Sequence, residues 1–248
     1  MVKSRIVFCS SAKNILATIL CVAYSVCCFG EQKKHVYFIP GQGADARLFK
    51  NIELDSTCKT IHITYSIPEK GWDMSAYARE LAKQIDTTKN YSIVGVSLGG
   101  MLATEMADFL NPEKVIVISS AKNRKEFPGR YRFQKVIPIH RLVPGFAIKT
   151  GARILQPIVE PDRNKDKETF KSMLKSKNPV FLKRTTTMIL TWERTSNNKQ
   201  IMHIHGDNDK TLPARFVHFD YLVEDGSHMM ALTRGDMISE LINEILQK

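Results

Sequence analysis

The chain has 248 residues, of which 43% are hydrophobic and 25% charged, and it carries a formal net charge of +11. This is the composition of an ordinary globular protein with enough apolar material for a full core. The basic balance invites comparison with a nucleic-acid binder, but no reader motif occurs, and neither a Gly-rich dinucleotide pattern nor a P-loop is present.

Residues 1–30 read as a signal peptide. Lys3, Arg5 and Lys13 form a basic region, the apolar run Ile15 to Phe29 follows, and small and polar residues appear at Gly30, Glu31 and Gln32. The run is shorter than the roughly 20 residues of a membrane-spanning helix. Export to a periplasm or medium is the expectation; anchorage by an uncleaved segment is the competing one. Cys9, Cys21, Cys27 and Cys28 fall in this leader, which leaves Cys58 without a disulfide partner and without an assigned role.

Beyond the leader, short β-branched and aromatic runs alternate with helical patterns, which predicts βαβ units and a mostly parallel sheet. Strands are expected at His35–Pro40, Thr60–Ser66, Tyr91–Val96, Lys114–Ser119, Gln200–His205 and His218–Val223. Asp73 is placed to cap a helix running to Ile85, with Met74, Tyr77, Ala78, Leu81 and Ile85 on one face. Leu98–Leu110 predicts a second helix, apolar nearly all round and therefore buried, and Asp236–Gln247 a last one.

The alternation breaks between the fourth and fifth strands. Residues 122–198 contain helical patterns at Phe170–Leu174 and Val180–Trp192, interrupted by Pro138, Pro144, Pro157, Pro161 and Pro179. From Lys122 to Gln200, nineteen Lys or Arg face six Asp or Glu, a local net charge of +13. A helical cap inserted into a core of residues 31–121 and 199–248 fits this pattern. Its charge reads as a solvated basic face, with weak attraction to an anionic surface or substrate as the alternative.

Chemistry concentrates at three places. Gly95-Val96-Ser97-Leu98-Gly99 has the form G-x-S-x-G at the junction of an apolar strand and a helix rich in small residues, the elbow such a serine nucleophile requires. A serine hydroxyl needs a base, and His228 follows the last strand in a turn, in Asp225-Gly226-Ser227-His228. An acid to orient that base comes from His205-Gly206-Asp207-Asn208-Asp209 after the fifth strand, where Asp207 and Asp209 are both open. His203 and His205 read as structural, with a metal-ligand role the minor alternative and no metal or other cofactor called for.

With serine, acid and histidine in this order, the mature chain resembles the α/β-hydrolase superfamily, and within it small carboxylesterases. Pro40-Gly41-Gln42-Gly43 is similar to the family's oxyanion loop, with Pro40 where a histidine is usual. The resemblance implies an α/β-hydrolase fold reduced to about six strands, since the first two strands are missing, with a helical cap. It also implies that Ser97, His228 and Asp209 form a triad, and that the backbone N–H groups of Gln42 and Leu98 form the oxyanion hole. The expected reaction is hydrolysis of a small-molecule carboxylic ester or thioester through an acyl-enzyme. Acyl transfer, peptide cleavage or lyase chemistry on the same triad, and a non-catalytic binding protein on the same scaffold, stay open. Nucleic acid is not an expected partner. Asp45 and Arg47 are expected to tie the oxyanion loop to the sheet, and Met229 and Met230 to line the pocket or pack. Phe133, Phe146, Phe170, Phe181 and Trp192 suggest that the basic cap takes an apolar acyl group with an anionic end.

Overall fold

Six strands form the frame: β1 (Lys34–Ile39), β2 (Cys58–His62), β3 (Tyr91–Val96), β4 (Val115–Ile118), β5 (Met202–Gly206) and β6 (Tyr221–Val223). In the computed structural model they make one sheet in the order β2-β1-β3-β4-β5-β6, every pair parallel. The structure describes residues 33–131, 144, 146, 147, 150, 151, 154, 161–176 and 178–248. The expected signal peptide lies outside them, as do Phe133, Pro138 and Pro157 of the expected cap.

Parallel strands cannot be joined by tight turns, so each connection must cross a face of the sheet. The helices that frame the sheet and the site include α1 (Met74–Ala82), α2 (Leu98–Met106), α3 (Lys167–Ser176), α4 (Pro179–Thr191), α5 (Met230–Thr233) and α6 (Gly235–Gln247). Successive side chains on a strand point to opposite faces, and here both faces are covered. Tyr37, Ile39, Ile93, Val115 and Val117 pack with Tyr77 and Leu81 of α1, Leu102 and Met106 of α2, and Leu182 and Met188 of α4. Val36, Phe38, Val94, Val96, Ile116, Ile118 and Ile204 pack with Ile238, Ile242 and Ile245 of α6, and with Phe170 and Met173 of α3.

Local signals start the helices where the sequence predicts. The Asp73 carboxylate accepts the Ala76 N–H at 2.7 Å at the start of α1, a cap contributing about 1 kcal/mol. Asn178 accepts the Val180 N–H at 2.7 Å, and Pro179 occupies the first turn of α4, where its missing N–H costs nothing.

The second and last strands differ most from expectation, the others by at most two residues at their ends. The second runs Cys58–His62 rather than Thr60–Ser66, because its register on β1 starts at Lys34↔Cys58 and closes at Phe38↔His62. The last is confined to Tyr221–Val223, since His218 and Asp220 are engaged by His203 before the ladder opens at Ile204↔Tyr221. The cap aromatics also need correction. Phe170, Phe181 and Trp192 are packed into the two cores, whereas Phe146 is exposed.

Candidate active site

β3 ends at Val96 and α2 begins at Leu98, which leaves Ser97 alone to turn the chain from strand to helix. It does so at φ +54° and ψ −117°, a region that costs a non-glycine residue about 1–3 kcal/mol. The surroundings hold it there. Ser97 N–H donates to the Ile118 carbonyl at 3.0 Å, and the Ser97 carbonyl accepts from Gly100 N–H, Met101 N–H and the Ser120 hydroxyl. The turn is tight enough to demand glycine on both sides. A Cβ on Gly95 would lie 2.3 Å from the Gly99 carbonyl oxygen, and one on Gly99 would lie 2.1 Å from that of Ile39.

The candidate base and acid arrive from the other side of β4. His228 sits in the turn after β6, and Asp209 in the turn after β5. His228 Nδ1 lies 2.7 Å from Asp209 Oδ2, and His228 Nε2 lies 2.9 Å from Ser97 Oγ. Asp209 Oδ1 accepts the N–H groups of Thr211 and Leu212, each at 2.8 Å. Burial pushes the Asp209 carboxyl up, but the facing His228 ring, with His205 and the Leu212 N–H, outweighs it and holds the carboxyl below its ordinary value. Of the two aspartates left open by the sequence, Asp209 meets His228, while Asp207 is exposed.

The Pro40–Gly43 loop lies against the serine: a Cβ on Gly41 would sit 3.3 Å from that of Ser97. Leu98, first in α2, has its N–H at the helix amino-terminus, where no intrahelical acceptor exists. The Gln42 side chain reaches across to α4, with Nε2 3.1 Å from the Leu182 carbonyl, 2.8 Å from Thr185 Oγ1 and 2.9 Å from Thr186 Oγ1. Tyr65 hydroxyl donates to the Pro40 carbonyl from below.

The contacts of Asp45 and Arg47 lead to α3, where the expectation was a tie to the sheet. Asp45 accepts the Arg47 N–H, pairs with the Arg47 guanidinium, and so orients Arg47 toward Ser172 of α3, at 2.8 Å. Lys50 reinforces the same link through Asp166 and Thr169. Met230 is fully buried in the α6-side core, and Met229 packs against it. Cys58 is half-buried at the start of β2.

His203 and His205 are fully buried and bonded to each other, as expected of structural residues. Among the described residues, no group of three or more His, Cys, Asp or Glu is arranged to hold a metal ion. The Gln42 and Arg47 contacts were not legible in the sequence. They span well over a hundred residues and leave no local pattern.

A model of an uncharacterised protein family, UPF0227, matches residues 45–137. A search of curated proteins by sequence finds no match. Solved structures are more informative about the fold. A thermophilic esterase from Thermogutta terrifontis is similar with a TM-score of 0.67 at 18% identity, covering 87% of this chain and 90% of its own. A lipase-esterase related protein from Clostridium acetobutylicum gives 0.65 at 13% identity, covering 87% and 96%. The enol-lactonase from Burkholderia xenovorans gives 0.64 at 13%, covering 87% and 92%. The chain has the α/β-hydrolase fold, reduced to a six-stranded sheet.

Proposed function

We propose that this protein, built on an α/β-hydrolase fold, is a serine hydrolase that cleaves a small-molecule carboxylic ester or thioester through an acyl-enzyme. The observation that supports it best is the unbroken line from Asp209 Oδ2 through His228 to Ser97 Oγ, at 2.7 and 2.9 Å. Structural likeness to esterases and a lactonase is consistent with ester hydrolysis.

In this reading Ser97 Oγ attacks the substrate carbonyl carbon as its proton passes to His228 Nε2. The carbonyl π electrons move to oxygen, where the Leu98 and Gln42 N–H groups receive the charge; each such donor stabilises the transition state by about 3 kcal/mol. Collapse expels the alkoxide or thiolate, which takes the proton from Nε2. Water then gives a proton to Nε2, attacks the acyl carbon, and Ser97 leaves with that proton restored. Asp209 accepts the Nδ1 hydrogen throughout, which keeps the Nε2 lone pair on the serine side and stabilises the charged ring.

No step calls for a cofactor. Export rests on the residue pattern of 1–30, and fractionation of cells producing the full chain tests it. A fluorophosphonate probe tests the chemistry. The folded protein is expected to take up the label at Ser97, and Ser97→Ala to abolish it. A folded wild-type chain that stays unlabelled refutes the reading.

A further inference from the structure

Beneath Asp209, two buried histidines form a hydrogen-bonded series whose proton count is fixed by its ends. His203 Nδ1 lies 3.0 Å from the His218 carbonyl oxygen, and His205 Nε2 lies 2.8 Å from that of Leu212. A carbonyl oxygen has no proton to give, so both nitrogens must carry one. The remaining nitrogens, His203 Nε2 and His205 Nδ1, face each other at 3.1 Å with the rings at 88°. Two neutral rings hold two protons, and both are already placed at the carbonyls. The facing nitrogens would then meet lone pair to lone pair, in a position where both residues are 0% exposed and no water reaches them. A third proton turns that contact into an N–H···N bond and satisfies all three contacts at once.

We propose that His203 and His205 share one proton more than two neutral rings hold, and that the resulting positive charge is a buried counter-charge to Asp209. Asp209 Oδ2 lies 3.7 Å from His205 Nε2. On the opposite side, the Asp220 carboxylate accepts the backbone N–H of His203 at 2.7 Å, and buried Glu126 accepts the backbone N–H of His218 at 3.3 Å. Of these carboxylates, Asp209 favours the charge directly, at His205. Burial opposes it on both rings, Lys122 opposes it at His203, and His228, when charged, opposes it at His205. The bonded geometry outweighs burial here, because the neutral alternative leaves a nitrogen pair unsatisfied in the same dry site.

The charge has work to do in the resting site, and this part of the inference rests on the proposed roles of Asp209 and His228. A neutral His228 gives Asp209 a hydrogen bond but no positive charge. The Thr211 and Leu212 N–H groups and the histidine pair are then what hold the buried carboxylate ionised. His205 is in this sense a positioning residue. It touches no substrate and acts through Asp209.

Nuclear magnetic resonance of the full chain, labelled with nitrogen-15 at histidine, reads the proton count without reference to activity. At pH 7 the expected result is three N–H groups across His203 and His205, including one strongly downfield N–H···N proton. Two neutral rings with one N–H each overturn the proposal. The support given to Asp209 is read from the pH dependence of fluorophosphonate labelling in His205→Asn. Removing a positive charge near His228 makes that ring easier to protonate, so the acid limb moves to higher pH. Relative to wild type, the variant is expected to lose about threefold or more additional rate at pH 6 than at pH 8. An unmoved limb in a folded variant overturns the counter-charge role. A wild-type chain that takes no label refutes the hydrolase reading instead, and leaves the proton count to stand or fall on the resonance data.

Discussion

Gln42 offers a measurement that separates holding a loop from holding a fold. Its amide carries two hydrogens and faces three acceptors on α4, at 2.8, 2.9 and 3.1 Å. Neutral hydrogen bonds contribute about 1 kcal/mol each, so Gln42→Ala should cost about 1–2 kcal/mol of stability. Nothing is orphaned by the change at Thr185, whose hydroxyl still donates to the Phe181 carbonyl at 2.8 Å. For a domain of this size that is a fall of about 2–8 °C in Tm. The larger effect should be kinetic. Gln42 N–H is a proposed oxyanion donor, and its position depends on the side chain that anchors the loop to α4. Full loss of such a donor costs about 3 kcal/mol, or roughly a hundredfold in rate, and partial displacement costs less. Turnover of p-nitrophenyl esters by Gln42→Ala should therefore show kcat down about ten- to a hundredfold with KM within about twofold, together with slower fluorophosphonate labelling. A variant with lowered Tm and unchanged kcat refutes the argument, because the side chain would then be stabilising α4 without setting the loop.

Two further predictions concern the frame of the site. Gly95→Ala places a methyl group 2.3–2.6 Å from backbone atoms of Gly99 and Gly100, none of which can swing aside. Pushing the start of α2 away should cost about 1–3 kcal/mol and shift Ser97 with it, so calorimetry and probe labelling should both show a loss. Retained labelling at wild-type rate would mean that the elbow tolerates a looser turn. At the far end of α4, Asp108 accepts two hydrogen bonds from Arg194, at 2.7 and 2.8 Å, and that guanidinium holds the carboxyl below its ordinary value. A depressed carboxyl stabilises the fold above its unfolded-state value, and that contribution disappears as pH falls through the folded one. The stability gap between wild type and Asp108→Asn should thus be full at pH 7 and close below about pH 4, as urea unfolding at a series of pH values would show. A gap independent of pH would place the effect in packing.

What the sequence discloses is what repeats locally or must be a particular residue. Tyr91–Val96 has legible bounds because its residues suit a strand buried on both faces and the serine of the G-x-S-x-G run follows at once. The α4 helix is legible from its apolar spacing over Val180–Trp192, whereas Pro179, read from the sequence as an interruption, occupies its first turn behind the Asn178 cap. The sequence carries the second strand too far because Thr64 and Tyr65 are as suited to a strand as Thr60 and Ile61. What ends it is the length of β1, a property of another segment. Asp209 could be preferred over Asp207 only by resemblance, since a spacing of two residues says nothing about which carboxylate faces His228. The pairing of Arg47 with α3 rather than the sheet was closed to sequence reasoning for the same reason: charge patterns name a donor but not its acceptor.

The strand order has a consequence for how such a chain comes into being. β3 carries the serine near the middle of the sheet, with β1 and β2 to one side and β4, β5 and β6 to the other. Synthesis proceeds from the amino-terminus, and its early segments can begin to fold before the later ones exist. The elbow and its loop are therefore complete in sequence while β5 with Asp209, and then β6 with His228, have still to be made. Until β5 and β6 dock, the nascent chain displays a serine with no base beside it. On the proposed mechanism, every unfinished copy therefore lacks the base that its serine requires.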